Sequence, residues 1–172
     1  MVFIMNWWVM TLQDKDFDYA ISVISEQKTI NEIPIRFRDM VNSLISNQDT
    51  VLQYAKNKQW NMIKEKRNEV EQAGLPFKGK VLDYDMLSVI RLNQAKDGLN
   101  ALISNGTMTR DKAVIDWTMQ DNTVMQLTIN DLESIPIYAV QYSNELHQKA
   151  RKLRDMIDNA KDIKSILAIN WQ

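Results

Sequence analysis

A chain of 172 residues is long enough to bury a hydrophobic core, and its 45% apolar and 25% charged residues are typical of a globular protein. Its 21 basic and 22 acidic residues nearly balance, which argues against a dedicated nucleic-acid-binding protein because such proteins usually carry a basic excess. Cysteine is absent, which excludes disulfides and thiolate metal sites, and the four glycines and three prolines favour long helices over a turn-rich β fold.

The first ten residues, MVFIMNWWVM, are the most apolar stretch of the sequence. They lack the basic start and cleavage pattern of a signal peptide, and they are far shorter than the roughly 20 apolar residues of a membrane-spanning helix. Two interpretations stay open: a strand or first turn packed on the protein's own core, or a surface that binds a partner. Large aromatic side chains are enriched at interfaces. The candidate partner-binding residues are Phe3, Ile4, Trp7 and Trp8. Met5 also leaves open a later natural start.

Three aspartates alternate at Asp14, Asp16 and Asp18, as they do at the start of a calcium-binding loop. An EF-hand loop needs Gly at its sixth position and Glu at its twelfth, but this sequence has Tyr19 and Ser25 there. We therefore expect the aspartates to begin a helix, since acidic residues are favoured in the first turn. Its apolar face would carry Phe17, Ala20, Ile21 and Ile24.

Two more helices follow a connector that ends at Pro34, which suits a first helical position. The first would bury Phe37, Met40, Val41, Leu44 and Ile45. The second, over about residues 50–73 and capped by Asn47 or Asp49, would bury Leu52, Ala55, Met62, Ile63, Val70 and Ala73. The charged residues in the middle of this helix indicate a solvated face and not a nucleic-acid-binding patch. Arg67 and Glu71 have the spacing of a surface ion pair.

A glycine and a tight turn predict the first β-hairpin. Gly74 would end the preceding helix, and residues 75–85 would form a hairpin with Lys78-Gly79 at its tip. Asp83 or Asp85 would cap the next helix. Its apolar face would carry Leu87, Ile90, Ala95, Leu99 and Leu102, and a turn at Asn105-Gly106 would follow.

Alternation of apolar and polar residues predicts a second hairpin that leads directly into a helix. Ile115, Trp117 and Met119 share one strand face, so we expect Trp117 to anchor the hairpin in the core. Gln120-Asp121-Asn122 would form the turn. The second strand would contain Val124, Met125, Leu127 and Ile129. Thr128 or Asn130 would cap the helix, with Glu133 completing a capping box with Asn130.

The last long helix has the clearest periodicity of the chain. Its apolar stripe contains Leu132, Ile135, Ala139, Tyr142, Leu146, Ala150, Leu153, Ile157 and Ala160. Pro136 should kink this helix or mark its true beginning. A short capping helix or strand would follow with Ile163, Ile166, Leu167, Ile169 and Trp171.

The chemistry-bearing residue types are few, and we expect no catalytic residue, metal site or cofactor. His147 is the only histidine, and with no cysteine a catalytic triad or zinc site is improbable. We interpret His147 as a surface or packing residue. The predicted fold class is mainly α with two small β-hairpins (α+β), with the long C-terminal helix packed on a hairpin. Residues 1–55 would form an N-terminal apolar strip and helical region, and residues 56–172 an α+β domain.

The order of motifs over about residues 60–172 resembles a domain of uncharacterised function found in tail, tail-fibre and tail-fibre-assembly proteins of tailed bacteriophages. The front half of the resemblance is carried by Lys66-Arg67, Gly74, Phe77-Lys78-Gly79-Lys80 and Asp83-Tyr84-Asp85. The back half is carried by Trp117, Asp121-Asn122-Thr123-Val124, Leu127-Thr128, Leu132, Leu146-His147-Gln148-Lys149-Ala150 and the ending from Ile157 to Ile169.

The resemblance implies a non-enzymatic tail protein, located in the virion tail after assembly in the host cytoplasm. Its partner would be a tail fibre or a neighbouring tail protein, with a homo-oligomer also open and neither nucleic acid nor a membrane span expected. In one version the protein is a structural adaptor that stays in the virion. In the other it is a tail-fibre assembly chaperone that is absent from the mature virion. The apolar N-terminal strip favours the adaptor, because a transient binder would expose the strip after release.

Overall fold

The computed structural model describes residues 13–172, which form six α-helices and two antiparallel hairpins. The elements are α1 (Asp14–Ile24), α2 (Ile35–Ser46), α3 (Gln48–Gln72), β1 (Leu75–Phe77), β2 (Lys80–Leu82), α4 (Met86–Ser104), β3 (Val114–Thr118), β4 (Val124–Thr128), α5 (Ile129–Asn159) and α6 (Ile163–Ala168). Short 3-10 turns cover Ile30–Glu32 and Arg110–Lys112. The predicted fold class, mainly α with two small hairpins and a long C-terminal helix, is confirmed.

The described chain divides into two compact units. The terminal unit contains residues 13–62 and Leu153–Gln172, and the central unit contains Ile63–Lys152. Both α3 and α5 contain residues of each unit. The boundary predicted between residues 55 and 56 falls inside α3. No helix within residues 13–172 is long and apolar enough to cross a membrane.

Two of the three aspartates that resemble a calcium loop have structural roles at the start of the terminal unit. Asp16 completes a capping box, because its carboxylate accepts the backbone N–H of Gln13 at 2.8 Å. Asp18 forms an ion pair with Lys58 at 2.5 Å. The predicted helix is therefore confirmed as α1. The core of this unit is formed by Ala20, Ile21, Ile33, Val41, Leu44, Val51, Ala55, Ile163 and Ile166.

The first hairpin forms where the sequence predicts it, in the central unit. Leu75 pairs with Leu82 and Phe77 with Lys80, while Lys78 and Gly79 have φ values of 50° and 79°. Two successive positive φ values are typical of a type I′ turn, whose twist matches that of the two strands. The second hairpin contacts this one through Gln120, whose backbone N–H donates to the Val81 carbonyl at 3.1 Å.

The second hairpin joins α5 through a capping box that differs from the predicted one. Thr128 Oγ1 accepts the backbone N–H of Asp131 at 3.1 Å, and the Asp131 carboxylate accepts the N–H of Thr128 at 3.0 Å. Thr128 is thus the N-cap, and the acidic partner is Asp131 instead of Glu133. Ile129 is wrongly predicted as strand: it starts α5, fully buried. It shares the central core with Leu75, Phe77, Leu82, Leu92, Leu99, Ala113, Met119, Leu127, Leu132 and Ile135.

Several predicted burial patterns are wrong in detail. Leu87 and Ile90 are exposed on α4, whereas Leu92 is buried. Apolar residues surround the first turns of this helix, so their spacing does not identify one buried face. On α3, Met62 is exposed and the polar Gln59 is buried, where its amide donates to the Ile169 carbonyl.

Two further predictions about local contacts are also corrected. Glu71 accepts a hydrogen bond from Ser143 at 2.6 Å, while Arg67 donates to Asn68, so the surface pair expected between Arg67 and Glu71 is replaced by other partners. Pro34 is the N-cap of α2 and not its first helical residue. Pro136 does not mark the start of α5, because the helix begins seven residues earlier at Ile129.

Candidate functional site

The predicted partner-binding residues Phe3, Ile4, Trp7 and Trp8 lie outside the described residues, so their role stays a prediction. Within residues 13–172, no group of three or more His, Asp or Glu side chains is arranged to hold a metal ion. The best candidate for a functional surface is in the central unit, where large apolar side chains are exposed.

The exposed apolar side chains of the central unit lie mainly on two helices. Met86 is 80% exposed at the start of α4, where Leu87 and Ile90 are also exposed. On α5, Ile137 is 61% and Val140 is 70% exposed. Ile137 and Val140 lie three residues apart, so they occupy the same side of the helix, away from the buried Leu132 and Ile135. Contiguous exposed apolar side chains mark interaction surfaces when they extend over several hundred Å².

Val140 belongs to an open groove of about 590 Å³ along α5. We call it the α5 groove and define it by its lining residues, Tyr84, Pro136, Ala139, Val140, Ser143, Asn144, His147 and Arg151. All but Tyr84 come from one side of α5, because they are single residues or adjacent pairs that repeat every three or four residues. Tyr84 reaches the groove from the segment between β2 and α4.

One end of the α5 groove is apolar. Pro136, Ala139 and Val140 line it, and the half-buried ring of Tyr84 also lines the groove. Burial raises the pKa of the Tyr84 hydroxyl above its ordinary value, and the protonated hydroxyl can donate a hydrogen bond. The groove can therefore contact an apolar side chain at this end and offer the Tyr84 hydroxyl as a donor.

The other end of the groove is polar, and its lining includes one permanent cation, Arg151. The Ser143 hydroxyl donates to Glu71 at 2.6 Å, and His147 Nε2 lies 3.7 Å from the other oxygen of the same carboxylate. This contact agrees with the interpretation of His147 as a surface residue. Arg151 lies further along the groove, and among residues 13–172 its guanidinium has no hydrogen-bond or ion-pair partner. It is thus available to an external anionic group.

A second groove, of about 450 Å³, lies in the terminal unit. Ile21, Ala55, Met62 and Leu167 contribute its apolar lining, and the Asp18–Lys58 ion pair is also part of its wall. Because both charges at this groove already pair with each other, it offers less charge to a partner than the α5 groove does.

From the sequence, Ala139 is assigned to the buried stripe and His147 to the surface, but the α5 groove is not predicted, although the sequence contains one signal for it. Val140 and Ile137 do not belong to the apolar stripe of α5, and apolar residues off the buried stripe of an amphipathic helix are exposed. Arg151 has no comparable signal, because a charged residue on a solvated face is ordinary.

Comparison with known proteins identifies a family for most of the chain. A search of curated proteins and a search of solved structures each gave no significant match. A family model described as a domain of unknown function, DUF4376, matches residues 54–170. This match covers well over half of the chain and includes both hairpins and the α5 groove. The chain therefore belongs to the DUF4376 family of domains of unknown function.

Proposed function

We propose that this chain is a non-enzymatic tail protein of a tailed bacteriophage that binds a tail fibre or a neighbouring tail protein. In this proposal it stays in the virion tail as a structural adaptor. The proposal takes its biological setting from the resemblance over residues 60–172 to domains of phage tail, tail-fibre and tail-fibre-assembly proteins.

The observation that carries a binding function is the exposure of large apolar side chains on the central unit, Met86 and Val140 above all. Leaving such side chains in water is unfavourable by about 25 cal/mol for each Å² of apolar surface. A partner that covers these side chains would recover part of that free energy. The polar groups around them support the same role, because Ser143, Asn144 and Arg151 can fix the orientation of a partner.

A tail-fibre assembly chaperone is the second candidate. It would use the same apolar surfaces to hold part of a fibre during assembly and would then be released. The exposure of these surfaces is compatible with both candidates. The apolar segment MVFIMNWWVM favours the adaptor, because a chaperone would expose it again after each release.

Quantitative mass spectrometry of purified virions of a phage that encodes this chain tests the proposal. We expect the chain at a fixed ratio to the major capsid protein, with a host cytoplasmic enzyme as the control for contamination. Absence from virions together with co-purification with the fibre from infected cells would support the chaperone. Absence from both samples would contradict any role in the tail.

A further inference from the structure

We propose that the α5 groove is the partner-binding surface of this chain and that its occupant is an apolar segment of another protein carrying one carboxylate. The apolar side chains of this segment would cover Val140, and its carboxylate would pair with Arg151. This inference rests on the proposed function, since it identifies the surface through which a tail protein binds its neighbour.

The apolar end of the groove extends beyond α5. Tyr84 lines the groove, and Met86 follows it by two residues, so the α-carbons of Tyr84 and Met86 are at most about 7 Å apart. Met86 and Leu87 are exposed, as are Ile137 and Val140 on α5. The exposed Met86 is therefore near the groove in the chain, and a partner that covers Val140 can also reach it.

The charged end selects a negative group. Arg151 has no partner among residues 13–172, whereas His147 is next to Glu71. A guanidinium binds a carboxylate through two parallel hydrogen bonds, and the two charges attract more strongly when the surrounding surface is dry. The lining of the groove contains no carboxylate, and the one carboxylate beside it, that of Glu71, already accepts a hydrogen bond from Ser143 and lies 3.7 Å from His147.

The two ends set the spacing that a partner must match. Val140 and Arg151 are eleven residues apart on one helix, which places them about 16 Å apart along its axis. An extended segment of about five residues spans this distance. We therefore expect the occupant to have a large apolar side chain and an Asp or Glu about five residues apart. A nucleic acid would favour a series of cations over one cation beside an apolar surface.

Site-specific crosslinking in infected cells tests where the groove binds. The photoreactive amino acid p-benzoyl-phenylalanine replaces Val140 in the full chain, and crosslinked peptides are identified by mass spectrometry. The matched control carries the same amino acid at Met156, which is 55% exposed on the same helix and does not line the groove. We expect Val140 to crosslink to an apolar, acid-containing segment of one phage structural protein, with no such product from Met156.

A charge reversal then tests the role of Arg151 with the partner found by crosslinking. Arg151→Glu should weaken binding by about tenfold or more, as expected when a charge pair becomes a repulsion. Lys152→Glu is the control, because Lys152 is exposed beside Arg151 but outside the groove lining. Replacing the partner's Asp or Glu with Lys should restore its binding to the Arg151→Glu variant. Circular dichroism checks that each variant is folded.

Several results would overturn the inference. Crosslinks from Val140 to a second copy of this chain would make the groove a homo-oligomer contact. Crosslinks no stronger than those from Met156, or an affinity that Arg151→Glu does not change, would exclude the groove as the binding surface. The amount of the chain in virions does not depend on these results, so failure of the groove and failure of the proposed function can be told apart.

Discussion

The ammonium group of Lys78 lies 2.6 Å from the carboxylate of Asp131, and this contact joins the tip of the first hairpin to the first turn of α5. The Asp131 side chain is only 10% exposed, and it also accepts the backbone N–H of Thr128. Burial acts to raise the pKa of Asp131, but the hydrogen bonds from Lys78 and Thr128 outweigh it and hold the pKa below its ordinary value. The charged form of Asp131 is therefore part of the folded structure.

We predict that Asp131→Asn lowers the free energy of unfolding at neutral pH by about 1–3 kcal/mol, because an amide cannot replace a charged hydrogen-bond acceptor. The pKa is lowered in the folded state, so the carboxylate stabilises the fold above its unfolded pKa of about 3.9. That contribution is lost as the pH falls through the lowered folded value. The difference between the two proteins, measured by urea denaturation, should shrink towards pH 3.

Asp116→Asn serves as the control for this experiment. Asp116 is exposed on β3, and within residues 13–172 its side chain has no hydrogen-bond or ion-pair partner. We expect it to change stability by less than about 0.5 kcal/mol at either pH. A loss for Asp131→Asn that stays the same at pH 3 and pH 7 would show that the charge of Asp131 does not stabilise the fold.

Two glycines provide a matched pair of substitutions with opposite expected effects. Gly74 has a φ of 107°, and a Cβ there would lie 2.7 Å from Val81 Cγ1 and 2.9 Å from the Leu82 carbonyl oxygen. Gly74→Ala should therefore destabilise the protein by more than about 1 kcal/mol. Gly98 lies within α4. A Cβ added there would have no other atom within 4 Å apart from the backbone of the helix itself. Gly98→Ala should therefore stabilise the protein by about 0.5–1 kcal/mol. Thermal denaturation of both variants measures the difference, and equal effects would contradict the role of Gly74.

The elements most accurately predicted from the sequence are those whose signals are local. Gly74 and the pair Lys78-Gly79 locate the first hairpin, because positive φ values at a turn restrict the residue types that fit. The periodic stripe of α5 likewise predicts its long helix. Burial of Leu92 in place of Leu87 was not predictable, because the apolar residues of α4 fit more than one face and tertiary packing decides between them.

The α5 groove was not predictable for a related reason. Tyr84 and Val140 are 56 residues apart in the sequence, and only the folded central unit brings them to one surface. Glu71 was expected to pair with Arg67 within its own helix, but Ser143, which is 72 residues away, donates to it. Local spacing predicts contacts within a helix and carries no information about a partner from another helix.

Trp117 provides a test of how burial sets the effect of a substitution. The sequence predicts a core anchor, but Trp117 is half-buried at the edge of the core, whereas Leu127 on the neighbouring strand is fully buried. We predict that Leu127→Ala lowers the free energy of unfolding by about 2–5 kcal/mol. Trp117→Ala should lower the free energy of unfolding by less than the roughly 3–5 kcal/mol that is lost when a fully buried aromatic side chain is replaced with Ala. Urea denaturation measures both, and a larger loss for Trp117→Ala would restore the core-anchor interpretation.

The N-terminal segment carries the remaining prediction, which concerns oligomeric state and partner binding. Phe3, Ile4, Trp7 and Trp8 contribute large apolar side chains within six residues of sequence. Large apolar and aromatic side chains clustered in this way are enriched at protein–protein interfaces. We therefore predict that deleting residues 1–10 lowers the number of chains per particle in solution, measured by light scattering, or weakens binding to the neighbouring fibre protein. A full-length variant with Ser at all four positions should behave in the same way, which separates loss of the apolar side chains from loss of chain length. A deletion that reduces the melting temperature but leaves the oligomeric state and the affinity for the fibre protein unchanged would instead assign the segment to the protein's own core.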